Sequence, residues 1–304
     1  MIDANKLSGF IERVEGDRRP VTADVFLTDY CNNRCGYCRY SHATGNYINY
    51  EQFVALLPRL LSLGVKGVIL TGGGEPTINP DFGRICALLE SKGVRYGVNT
   101  NWNVMHEIAP TYLKISIDEG TREGYLRARG ADAFDKVIGN INKYNEWRAR
   151  NGVKTRVGVQ CVTTSVGQVM SFYAAVCGLT VDYIQFRPIE VRDGQLDYAS
   201  ICNAVDALAA KDDRVTKSYK YGFARWRPSK CYANWSAICV TPQMGVLYCC
   251  ARPDEIVGNI FDDDILQKLE GYRADMAKCE TPCRLTGANA YVMQYRNDGD
   301  RYFV

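Results

Sequence analysis

The chain of 304 residues is 46% hydrophobic and carries a formal net charge of +3, enough apolar material for one large core or one core with a small appendage. Its charges are interspersed rather than blocked, which argues against nucleic acid or a membrane surface as a partner. The N-terminal MIDANKLSGFIERVEGDRRP has no apolar signal segment and no stretch approaches a membrane span, so a cytoplasmic protein is expected, and its thirteen cysteines point to metal or redox chemistry rather than disulfides.

Short β-branched runs alternate with amphipathic stretches, the pattern of βα units on a parallel sheet. In chain order, strands are expected at Thr22 to Thr28, Gly67 to Thr71, Arg95 to Asn99, Leu113 to Ile117, Thr155 to Val162 and Tyr183 to Arg187. Helices are expected at Glu51 to Leu63, Pro80 to Lys92, Ala133 to Asn151, Val166 to Cys177 and Ala199 to Ala210. Six such units are fewer than the eight of a closed TIM barrel, so the expected fold class is α/β, an open partial (β/α)6 barrel. Past about Lys220 the texture turns aromatic and Cys-rich. Residues 1–220 are therefore read as the barrel and 221–304 as a small second module.

The stretch LTDYCNNRCGYCRYSH follows the first strand and sets Cys31, Cys35 and Cys38 in one loop. In a parallel βα architecture the loops after strand C-termini form the active face. Three thiolates suit a [4Fe-4S] cluster with one iron open to an outside ligand. A closed zinc site is the competing reading, with His42 as its nearest fourth ligand. TGGGEPT, Thr71 to Thr77, follows the second strand: Gly73 and Gly74 let the backbone approach a ligand, and Glu75 offers an anionic acceptor for an ammonium group. Read alone, that triplet is a common tight turn. NTN, with Asn99, and SID, with Ser116 and Asp118, end the next two strands with polar groups on the same face, where ordinary strand-end capping is the alternative. Arg187 ends the sixth strand, fixed there by Pro188.

The CxxxCxxC loop, with Tyr37 before its third cysteine, together with the GGE triplet, resembles the radical S-adenosylmethionine (SAM) enzymes. The resemblance implies a [4Fe-4S] cluster on Cys31, Cys35 and Cys38 whose open iron chelates SAM. It also implies reductive cleavage of SAM to methionine and a 5'-deoxyadenosyl radical, fed by a donor such as flavodoxin or ferredoxin. Tyr37, Gly73, Gly74, Glu75, Asn99, Ser116, Asp118 and Arg187 are the implied SAM-binding positions.

Cys231, the Cys249-Cys250 doublet, Cys279 and Cys283 resemble the twitch and SPASM modules of that family, which hold a second [4Fe-4S] cluster. MGVLYCC reads as a turn and a strand ending at the doublet, and alternation on a strand leaves one of the pair for the cluster. A zinc ribbon and buried inert cysteines are the alternatives. A barrel plus a short module is similar to the radical SAM enzymes of aminoglycoside biosynthesis. That resemblance implies an epimerase of the neomycin C to neomycin B type, acting at C-5''' of a small-molecule aminoglycoside. Cys249 is then the hydrogen donor and Cys231, Cys250, Cys279 and Cys283 the ligands. A sister reading is an aminocyclitol dehydrogenase. A peptide-modifying enzyme is disfavoured by the short stretch before the first strand, and an iron-sulfur carrier by the GGE motif.

Asp118, Glu119, Glu190, Asp193 and Asp254 are candidate acids for an amino sugar. Cys86, Cys161, Cys177, Cys202 and Cys239 are expected in apolar surroundings. His42 and His106 are expected at the surface or in supporting positions.

Overall fold

The computed structural model describes residues 19–40, 45–189, 196–223, 229–231, 237–279, 283 and 289–290. Its strands are β1 Thr22–Phe26, β2 Gly67–Thr71, β3 Arg95–Thr100, β4 Tyr112–Ser116, β5 Arg156–Thr163, β6 Tyr183–Pro188, β7 Val215–Lys217, β8 Ala237–Val240, β9 Gly245–Leu247 and β10 Ile256–Asn259. Helices α1 Tyr50–Ser62, α2 Phe82–Ser91, α3 Arg122–Arg129, α4 Phe134–Arg150, α5 Val166–Val176, α6 Tyr198–Ala209 and α7 Ile265–Gly271 connect them. All form one sheet in the order β10-β9-β8-β1-β2-β3-β4-β5-β6-β7. The pairings from β8 through β1 to β7 are parallel, while β9 and β10 turn back antiparallel at the edge.

Helix α1 shows why the early elements were legible. Asn49 caps it and exchanges hydrogen bonds with Gln52 in a capping box, and Phe53, Leu56, Leu57 and Leu60 bury one stripe. Strands β1 to β6 send Val25, Val68, Leu70, Val98, Leu113, Ile115, Val159, Ile184 and Phe186 outward into a core shared with the helices. Alternation turns Asp24, Asn99, Lys114, Ser116, Gln160, Gln185 and Arg187 to the inner face, which makes the lumen polar. Its floor is aromatic. Tyr112 lies across its register partner Gly97, and Tyr183 across its partner Gly158.

Helix α3 and strands β7, β8 and β10 were not anticipated. Among the described residues after Tyr221, β8 pairs in register with β1, Asp24 opposite Cys239, and carries β9 and β10 with it. Cys86, Cys161 and Cys239 are buried as expected, whereas Cys177, the C-cap of α5, and Cys202, within α6, are half-buried. Glu190, Asp193 and His42 lie outside the described residues.

A Cβ at position 158 would fall 2.0 Å from the Tyr183 ring, while one at Gly139 of α4 meets nothing within 4 Å. Gly158→Ala is expected to destabilise the fold by about 1–3 kcal/mol and Gly139→Ala to stabilise it by about 0.5–1 kcal/mol. Chemical denaturation of both variants reads the opposite signs.

Candidate active site

The loop after β1 carries the three cysteines and is held from two sides. On one side the glycine loop after β2 runs along it: Gly74 N donates to Thr28 O at 2.9 Å and Glu75 N to Tyr30 O at 2.8 Å. A Cβ on Gly74 would meet Tyr30 O at 1.9 Å, so only glycine permits that approach. On the other side the loop docks on the C-terminal end of α3, with Arg34 N donating to Arg129 O at 2.7 Å and Gly36 N to Ala128 O at 3.3 Å. These donors satisfy carbonyls that a helix end otherwise leaves open. The chain turns away at Gly130, whose φ of 62° and position against Arg34 O suit glycine.

Each of the three sulfurs receives an N–H. Asn33 N reaches Cys31 Sγ at 3.4 Å, Tyr40 N reaches Cys38 Sγ at 3.4 Å, and the Arg129 guanidinium reaches Cys35 Sγ at 3.4 Å. The three thiols lie close enough to feel one another's charge. Burial pushes the Cys31 thiol up to about 11, with Glu75, Cys35 and Cys38 adding to the effect, so a metal bound there must displace the Cys31 proton.

Glu75 is buried under the loop. Its Oε1 accepts from Thr77 N at 3.1 Å, Thr77 Oγ1 at 2.6 Å and the Thr100 hydroxyl, and its Oε2 accepts from Asn101 N at 2.7 Å. Burial raises its carboxyl, and these hydrogen bonds pull it back. Glu75 thus ties the glycine loop to the end of β3, and Oε2 retains accepting capacity. His106 supports the same turn, bonded to Thr77 O at 2.8 Å and edge-on to Phe82.

Asp118 and Tyr37 face each other rather than the lumen. Asp118 holds φ at 70° and is 1% exposed; Oδ1 accepts from Val162 N at 2.8 Å, while Oδ2 accepts the Tyr37 hydroxyl and sits 3.1 Å from Arg129 Nη1. Arg129 Nη1 also donates to Tyr37 Oη at 3.0 Å, and Nη2 to Ser116 O. Sequence reasoning missed Arg129. Its helix was signalled by Thr121 as N-cap, Glu123 in the first turn, Arg127 and Arg129 in the last, and Gly130 beyond. Asn99, Ser116 and Arg187 end their strands on the inner face, and the pairings Ser116 with Gln160 and Gln160 with Gln185 set three polar side chains in one row. Glu119 is held by Gln168 Nε2 at 3.2 Å, and Asp254 is exposed.

Of the second cysteine group, Cys250 and Cys283 lie near Cys249. The doublet lies past the end of β9, so strand alternation does not divide its roles. The Cys249 thiol is raised by its hydrogen bond to Cys250, then by burial and by Cys283. Ala251 N donates to Cys249 Sγ at 3.4 Å, the same two-residue reach seen at Cys31 and Cys38. Tyr248 hydrogen-bonds Cys231 O, and Asn289 Nδ2 donates to Cys231 Sγ at 3.4 Å. Cys279 follows the short helix Met276–Lys278. Tyr40 bridges the two groups: its ring packs on Gly73 and Phe26, and its hydroxyl donates to Cys250 O. Asp24, Cys239 and Cys250 each place a ligand atom within 4.8 Å of the others.

Residues 25–160, which contain the cysteine loop, the glycine loop and Arg129, match the Radical SAM superfamily. An Fe-coproporphyrin III synthase of Methanosarcina barkeri (strain Fusaro / DSM 804) is 30% identical over 53% of this chain and 42% of its own length. A probable GTP 3',8-cyclase of Pyrococcus abyssi (strain GE5 / Orsay) is 33% identical over 41% of this chain and 44% of its own. The chain thus spans under half the length of these curated relatives. Streptococcus suis SuiB bound to S-adenosylmethionine superposes with a TM-score of 0.66 at 15% identity, over 86% of this chain and 68% of that one, a likeness of fold. The family uses a [4Fe-4S] cluster and SAM, and the residues present fit both. Three sulfurs already receive N–H donors, and the buried Asn99 Oδ1 has no hydrogen-bond partner among the described residues.

Iodoacetamide applied to metal-free protein at pH 8 should label exposed Cys38 well before Cys31, whose thiolate forms only as pH rises toward about 11. Peptide mapping across pH checks it; equal labelling at pH 8 would contradict the raised Cys31 thiol.

Proposed function

We propose that the chain is a radical SAM epimerase that inverts an aminosugar carbon of an aminoglycoside, in the manner of neomycin C to neomycin B at C-5'''. The observation that carries this reading is the Cys249-Cys250 doublet, seated beside Cys283 and joined through Tyr40 to the loop of Cys31, Cys35 and Cys38. The polar lumen supports the substrate class. Asn99, Ser116, Gln160 and Gln185 present neutral hydrogen-bonding groups suited to hydroxyls, and they would not favour an apolar ligand.

When bound, the cluster and SAM supply the radical that removes a hydrogen atom from the substrate carbon. Cys249 returns one to the opposite face: its S–H bond breaks, a C–H bond forms, and the sulfur radical left behind takes an electron from a flavodoxin or ferredoxin type donor and a proton from water. In this reading residues 1–220 form the barrel, and 221–304 bring Cys231, Cys250, Cys279 and Cys283 together around a second [4Fe-4S] cluster. The two-residue N–H reach to Cys249 argues for the reverse division, with Cys249 as ligand and Cys250 as donor. Iron content decides between the two. Among the described residues no helix is long and apolar enough to cross a membrane.

Anaerobic turnover with SAM, reductant and a neomycin-type aminoglycoside in deuterated water should give a product of unchanged composition carrying one solvent deuteron. A product lighter by two hydrogens would replace the epimerase with the aminocyclitol dehydrogenase. Cys249→Ala is expected to keep its iron and still cleave SAM while forming no epimer. Loss of iron in that variant would transfer the donor role to Cys250.

A further inference from the structure

We infer that Arg129 sets the reduction potential of the cluster held by Cys31, Cys35 and Cys38, and that Asp118 and Tyr37 hold it in place to do so. Only 7% of the Arg129 side chain and 1% of Asp118 reach solvent. A buried ion pair is a poor stabilising device, since desolvation consumes most of the attraction, so its position calls for another reason. The guanidinium points Nη1 at three atoms at once: Cys35 Sγ at 3.4 Å, Tyr37 Oη at 3.0 Å and Asp118 Oδ2 at 3.1 Å. Its other nitrogen is fixed on Ser116 O. Arg129 therefore cannot swing away from the sulfur without breaking contacts to β4, to Asp118 just beyond it and to the cysteine loop itself.

The three sulfurs are not equivalent. Cys31 and Cys38 receive neutral backbone N–H groups, whereas Cys35 receives a cation. Hydrogen bonds to the sulfurs, net charge and solvent exposure govern iron-sulfur potentials. A cation at one thiolate favours the more negative, reduced cluster and raises its potential. Asp118 opposes that effect by neutralising part of the charge, so the pair acts as a setting with two directions. Arg129 is a positioning residue in this role, acting through Cys35.

The test is a potentiometric titration of the reconstituted protein, followed by electron paramagnetic resonance, without substrate and with each variant's fold checked by circular dichroism. The readout is therefore independent of which reaction the chain performs. Arg129→Gln should shift the potential of the N-terminal cluster downward, Arg129→Lys should recover part of that shift, and Asp118→Asn should shift it upward. Arg122→Gln, on the helix that carries Arg129, removes an exposed pair with Asp132 beyond that helix's end and should leave the potential unchanged. If Arg129→Gln assembles poorly, the opposed signs of Arg129→Lys and Asp118→Asn carry the test. Wild-type potentials in the Arg129 variants, or shifts of the same sign in Arg129 and Asp118 variants, would overturn the assignment.

Discussion

The guanidinium of Arg129 and the carboxylate of Asp118 meet 3.1 Å apart with almost no water to screen them, and the site's geometry hangs on that pair. Burial works against the arginine's charge; Asp118, then Tyr37 and Cys35, more than offset it and keep it protonated. Removing one partner of such a pair strands the other, at about 3–5 kcal/mol. Asp118 also accepts its position at φ of 70°, strain that the surrounding hydrogen bonds over-determine. Through this pair the end of β4, helix α3 and the cysteine loop are locked into one body before any cofactor arrives.

The parallel sheet does the remaining positioning. Because its strands run the same way, their C-terminal ends deliver the cysteine loop, the glycine loop, the Asn99 to Asn101 turn and Ser116 to one face. Glu75 closes that face from beneath, with donors from its own turn and from the end of β3. The buried carboxylate thus serves the shape of the loops as well as any ligand. Tyr112 and Tyr183 seal the other end, leaving a polar lumen open toward the cysteines.

The loop of Cys31, Cys35 and Cys38 and the Cys249-Cys250 doublet follow strands of one sheet. β8 lies beside β1, so the strand that leads into the cysteine loop is neighbour to the strands that lead into the doublet. Arg39 donates to Ala251 O at 3.1 Å and Tyr40 to Cys250 O, which stitches the loops directly. A thiol near the doublet is therefore placed relative to the first three cysteines by strand register rather than by a flexible linker.

Local sequence by itself determined the six parallel strands β1 to β6, the helices α1, α2, α4, α5 and α6, the cysteine and glycine loops and their place after β1 and β2. Hydrophobic period, capping pairs such as Asn49 with Gln52, and turn residues act over a few positions and need no distant partner. Tertiary structure alone decided that β8 joins β1 across more than two hundred residues, that Asp118 turns to Tyr37 and Arg129, and that Cys249 and Cys250 leave the strand before alternation can sort them. The reason is physical: pairing across a sheet edge and ion pairing in a dry interior depend on which surfaces the folded chain brings together, and that information is not carried by spacing along the sequence.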